Sequence, residues 1–187
     1  MMGTIGYQDP QRPEAAAILS ALAGRTLRRV RALAAETLGG GLEIAEVELT
    51  FEGGPTLVIG LGAGGQALTG APWGGPADAG GEGAVPPGLW LALGAMGHEA
   101  DPSNPWQPVA LDAHPVWRHR LGTRIVVATP VRGGEVAGQS LPGDPAGPLT
   151  GVVFTFEDGR RVDVYDAGRC LHMVVLPEAP APAGART

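Results

Sequence analysis

One stretch of this chain occurs twice, and that repetition limits the folds open to it. Residues 47–59 (VELTFEGGPTLVI) align without a gap on residues 152–164 (VVFTFEDGRRVDV). Val47/Val152, Thr50/Thr155, Phe51/Phe156, Glu52/Glu157 and Gly54/Gly159 are identical, while Leu49/Phe154, Leu57/Val162 and Ile59/Val164 stay apolar. Each copy alternates apolar and polar residues on both sides of a glycine-bearing turn, which is the pattern of a β-hairpin. Gly54 and Gly159 are expected at turn positions where other residues fit poorly. A single hairpin unit buries its apolar face poorly, whereas two units sharing a core bury both. Phe51, Phe156, Leu49, Phe154 and Val162 are therefore expected in one shared core.

The expected fold is mainly β (β-rich α+β): two copies of a small antiparallel β-unit with pseudo-two-fold symmetry and one N-terminal helix. Residues 1–12 read as a flexible arm. Residues 13–100 form the first repeat, with a helix over 13–23 that presents Ile18, Leu19 and Leu22 as a stripe behind Pro13. Residues 101–120 form a Trp- and Pro-rich connector expected to pack on a sheet through Trp106 and Trp117. Residues 121–176 form the second repeat, and 177–187 a disordered tail. Two alternatives stand for residues 25–38. Helical spacing links Leu19, Leu22, Thr26, Val30 and Leu33, but a strand would place Leu27, Arg29, Arg31 and Leu33 on one face. The second copy favours the strand, because Gly24 with Leu27 matches Gly122 with Ile125, and the run RIVVATP is β-branched.

Gly (31) and Pro (18) exceed a quarter of the 187 residues and cluster between the apolar runs, so they read as loop material, as over 60–88, where only residues 66–69 suggest a short strand. The formal net charge of −6 argues against a nucleic-acid-binding surface. The one dense basic run, Arg25, Arg28, Arg29 and Arg31, reads as the solvated face of one element. The lone Cys170 rules out an internal disulfide and a cysteine zinc cluster. Its place at the start of an apolar strand is that of a small buried thiol. The N-terminus has no charged start followed by an apolar region, and no apolar run reaches the length of a membrane span. A soluble cytoplasmic protein is expected, with no nucleic-acid and no membrane partner.

Three groups of residues could carry chemistry. Gly60, Gly62 and Gly65 satisfy GxGxxG behind a strand, but Gly70 and Pro72 leave no room for the helix whose N-terminus would hold a pyrophosphate. The glycines read as a permissive loop, and no cofactor is expected. His98, His114 and His119, near Asp112, Glu99 and Asp101, are the only candidates for a metal site. Their spacing is no zinc signature, and Pro115 opposes a helix that would align the last two. Glu52 and Glu157 hold matching positions, which symmetry could bring into one cleft, but carboxylates at turns are ordinarily solvated. No serine sits in a nucleophile elbow, and no catalytic residue is assigned. The expectation is a non-enzymatic protein-interaction or accessory module, of the kind that neutralises a toxin or serves as a subunit, with another protein as partner. The alternative is a small metal-dependent hydrolase using the connector histidines and nearby carboxylates.

Overall fold

The computed structural model describes residues 12–61, 88–97, 100–133, 148–168 and 170–177. Several expectations therefore fall outside the described residues: the arm before Arg12, the strand at 66–69, Gly62, Gly65, His98 and the tail beyond Pro177.

The protein is mainly β, as expected, with two antiparallel sheets and one short N-terminal helix. Helix α1 (Arg12–Ser20) leads into β1 (Leu27–Glu36), β2 (Leu42–Phe51), β3 (Thr56–Leu61) and β4 (Leu89–Leu93). Then come β5 (Gln107–Ala110), β6 (Ile125–Arg132), β7 (Leu149–Phe156), β8 (Arg161–Asp166) and β9 (Leu171–Leu176). The first sheet runs β4-β3-β2-β1-β5 and the second β6-β7-β8-β9. Each half is thus a four-strand meander, and β5 is added to the outer side of β1.

The two meanders match in register. Val47 faces Ile59 and Leu49 faces Leu57, while Val152 faces Val164 and Phe154 faces Val162. The correspondence extends to an irregularity. Leu27 pairs with Phe51 and Arg29 with Thr50, skipping Arg28; Ile125 pairs with Phe156 and Val127 with Thr155, skipping Val126. The skipped residue is a β-bulge, which reverses the alternation beyond it. This corrects the expected face of β1. Leu27 joins Val30, Ala32 and Ala34 in the core, whereas Arg29, Arg31 and Leu33 lie on the opposite face. The same bulge explains why the segment also fitted helical spacing. A second shift, between Leu33 and Ala34, makes Ala45 the extra residue of β2, so Ile44 and Val47 share the inner face three positions apart.

The halves meet about the isolated bridge between Thr26 and Arg124. Gly24 donates to the Ile125 carbonyl (2.8 Å) and Gly122 to that of Leu27 (2.7 Å). Leu27 donates to Thr123 (3.0 Å) and Ile125 to Arg25 (2.9 Å). The bonds are reciprocal, the pattern of a two-fold axis through the bridge. Glycine is required at both joints, with φ of +78° at Gly24 and +77° at Gly122. Upstream the match continues: Arg25 donates to Leu22 and Thr123 to Arg120, which sets Ile18, Leu19 and Leu22 on Val116, Trp117 and Arg120. The segment read as a connector therefore supplies both β5 and the turn that answers to the end of α1.

One core joins the sheets. It contains Leu49, Phe51, Phe154, Phe156 and Val162, as expected, together with Leu19, Leu22, Leu57, Ile59, Ile125 and Trp117. Trp117 is fully buried, meets Phe154 edge to face, and donates its indole N–H to Met173 Sδ (3.0 Å). The turn glycines follow the expectation in one copy only. Gly159 has φ +78°, but in the first turn the left-handed residue is Gly53 (φ +56°), one position before Gly54. At Gly54 the constraint is space, since a Cβ there would lie 3.2 Å from Arg25 Cδ.

Candidate functional site

The strongest concentration of buried charge lies on the outer face of the first sheet. Glu48, in the middle of β2, is only 1% exposed. Arg31, opposite it on β1, grips it in a fork, with Nε to Oε1 and Nη2 to Oε2 both at 2.8 Å. Met96 N–H donates to Oε2 (2.6 Å), and Arg29 Nη2 lies 3.8 Å from Oε1. Burial alone would raise the Glu48 carboxyl, but the bonds from Arg31 and Met96 and the charges of Arg31 and Arg29 outweigh it and hold it below its ordinary value. Arg31 is correspondingly raised, chiefly by its hydrogen bonds to Glu48. A carboxylate engaged by three donors is held as an anion, unsuited to giving or taking protons near neutrality.

Around this ion pair sits a second apolar cluster: Leu33, Ala45, Val58, Trp90, Met96 and Trp106. Met96, just after β4, and Trp106, just before β5, pack on this face of the sheet, with Met96 held by Glu48. Trp90 explains Gly60. The two face each other across β3 and β4, and a Cβ on Gly60 would fall 2.3 Å from the indole ring. The first glycine of the GxGxxG pattern thus has a packing reason inside a strand, with Trp90 Nε1 donating to the Leu61 carbonyl (3.0 Å).

The second sheet uses the same positions differently. Glu48 and Val58 face each other in the first sheet; Val153 and Asp163 do so in the second, so the buried acid changes strand. The Gly60–Trp90 pair becomes Tyr165–His172, whose rings meet edge to face with 5.6 Å between centroids. Arg28 and Arg29 become Val126 and Val127, which are 54% and 45% exposed.

The sequence candidates do not assemble. His114 is half-buried, and its Nδ1 accepts the Val116 N–H (3.3 Å). His119 is exposed. Asp112, expected as their neighbour, instead accepts the Val30 N–H (2.9 Å) and ties the turn to β1. Among the described residues no three His, Cys, Asp or Glu side chains are placed to hold a metal ion. Glu52 pairs with Arg28, and Glu157 Oε1 accepts the Arg124 N–H (3.2 Å), so each serves its own half. The arginine run is partly turned inward: Arg25 Nη1 donates to the Gly53 carbonyl (3.3 Å), and Arg29 and Arg31 address Glu48. Cys170 is half-buried; burial pushes its thiol up, and the charges of Glu43 and Asp166 add to this, which opposes thiolate chemistry.

Sequence reasoning missed Glu48 and Arg120. Arg120 is buried in the place of Leu22, donates to Asp158 Oδ2 (2.5 Å) and lies over the Phe156 ring at 5.6 Å. The alternation that put Glu48 on a polar face gave no sign that the polar face was covered. Among the described residues no helix is long and apolar enough to cross a membrane. Comparison with protein families, curated proteins and solved structures finds no match to this chain.

Proposed function

We propose that this chain is a non-enzymatic interaction module that serves as an accessory or neutralising subunit in the cytoplasm, and that it arose by duplication of one four-strand unit. A single observation carries the interaction reading. At the bulge of the first strand, one half presents Arg28 and Arg29, with Arg28 paired to Glu52, while the other half presents Val126 and Val127 to solvent. The backbone around them is matched, so the fold makes no demand for valine there. Adjacent exposed aliphatic residues where the matched strand carries charge are what a protein-binding surface needs. Duplication is supported by the shared bulge, the shared registers and the reciprocal joint.

The double variant Val126→Arg, Val127→Arg restores the first half's chemistry and should fold normally. Affinity purification from the native cytoplasm is expected to recover a stoichiometric partner with the parent chain and to lose it with the double variant. Equal recovery by both would remove this surface from the reading.

A further inference from the structure

We propose that the row Val127, Thr155, Arg161 and Leu176, which crosses the outer face of the second sheet, docks a segment of a partner protein that carries an Asp or Glu side chain between apolar residues, with the carboxylate seated on Arg161. This deepens the interaction reading and rests on it, because Val127 belongs to both surfaces.

The registers build the row. Val127 faces Thr155, Thr155 faces Arg161 and Arg161 faces Leu176, so these side chains stand side by side on one face across β6, β7, β8 and β9. At the spacing of neighbouring strands the row is about 14 Å long, a length that about four residues of extended chain can follow. The face is the outer one, since Phe154, Phe156 and Val162, the chain neighbours of Thr155 and Arg161, lie in the core. Val127 is 45% exposed, and Thr155, Arg161 and Leu176 are half-buried. In the next row Val153 and Val174, also half-buried, flank the buried Asp163 and extend the apolar ground.

Charge sets the chemistry of the occupant. In the first sheet the arginines of β1 are answered by acids: Arg28 pairs with Glu52, and Arg29 and Arg31 address Glu48. The place of Arg161 in that sheet is held by Thr56, so the fold makes no demand for a cation there. Arg161 donates from Nε (3.2 Å) and Nη2 (2.7 Å) to one oxygen, the Pro177 carbonyl. Among the described residues it forms no ion pair, and its Nη1 makes no hydrogen bond. A guanidinium carries its N–H donors in a fork that matches both oxygens of a carboxylate, and the Pro177 carbonyl engages only part of it. A partner's acid completes the pair, and apolar groups on either side of it exclude water, which strengthens the attraction. A wholly apolar segment would desolvate Arg161 with no compensating charge, and a basic one would be repelled.

Peptide selection followed by a charge cycle tests this. Random peptides displayed on phage are selected on the immobilised full chain, and the selected sequences are synthesised and measured by fluorescence anisotropy. They should carry Asp or Glu between apolar residues. Arg161→Gln should weaken their binding roughly tenfold or more, as loss of a charged hydrogen bond would give. Arg161→Lys should recover part of that loss, since it keeps the charge without the fork. Changing the peptide's acid to its amide should cost the parent chain a similar factor and the Arg161→Gln chain almost nothing. Failure to select any peptide, selected peptides without an acid, or independent losses in the cycle would overturn the proposal. Acid-free peptides that are still lost with Val127→Arg would overturn it while leaving the interaction reading in place. Concentration-dependent dimers in sedimentation, abolished by Arg161→Gln, would assign the row to a second copy and overturn it as well.

Discussion

Glu48 concentrates the cost of placing charge inside a β-protein. Its attraction to Arg31 offsets desolvation only because both oxygens are bonded and Met96 supplies a further donor. Removing the acid leaves the partly buried Arg31 guanidinium without its carboxylate. Glu48→Ala is expected to cost about 3 kcal/mol in urea unfolding, the low end for a broken buried pair because Arg31 keeps some contact with water. Linkage fixes the sign of the pH effect. The folded carboxyl lies below its ordinary value of 4.5, so the stabilisation is complete above that value and declines as pH falls through the lower folded one. Stability measured from pH 6 downward should fall less steeply in Glu48→Ala than in the parent. Matching slopes would show that other carboxylates dominate acid unfolding.

Among the elements, the two joints at Gly24 and Gly122 offer the sharpest comparison between the halves. Neither has an atom within 4 Å of where a Cβ would stand, so only the left-handed backbone opposes substitution. Gly24→Ala and Gly122→Ala should each cost about 1–2 kcal/mol, and the two losses should agree closely. Unequal losses, read by thermal or urea unfolding, would break the equivalence. The hairpins were legible in the sequence because turn glycines and alternation are local signals, and they aligned without a gap. Less legible was β1, since skipping Arg28 puts Leu27 out of phase with Arg29 and in phase with Val30. The segment from Trp106 to Arg120 hid its divided role for another reason. Leu19 is answered by the much larger Trp117 and Leu22 by the charged Arg120, so one replacement changes size and the other polarity. Of the candidate site, the histidines were visible but scattered, whereas Glu48 was invisible until Met96 was seen to bond it. The valines at 126 and 127 look like ordinary strand residues until set beside Arg28 and Arg29.

At the scale of the molecule, the larger apolar core spans both sheets, while the smaller cluster around Trp90 belongs to the first sheet alone. Phe156 illustrates this: it packs in the shared core, pairs with Ile125 in its own sheet and lies beneath Arg120. Phe156→Ala is expected to cost about 3–5 kcal/mol. Calorimetry should show one cooperative transition in both parent and variant, with the midpoint lowered in the variant. Two separable transitions would mean that each sheet is stable alone. The Thr26–Arg124 bridge has a kinetic consequence. Within each meander every strand bonds its chain neighbour, so hairpins close over turns of a few residues or single loops. The bridge joins the start of one meander to the start of the other, across the whole of the first, and carries a large closure entropy. Each sheet can therefore zip from its own turn, at Gly53 or Gly159, while the joint waits for both. The slow event in folding is then expected to be the meeting of two half-formed surfaces, at a rate set by the length of chain that tethers them.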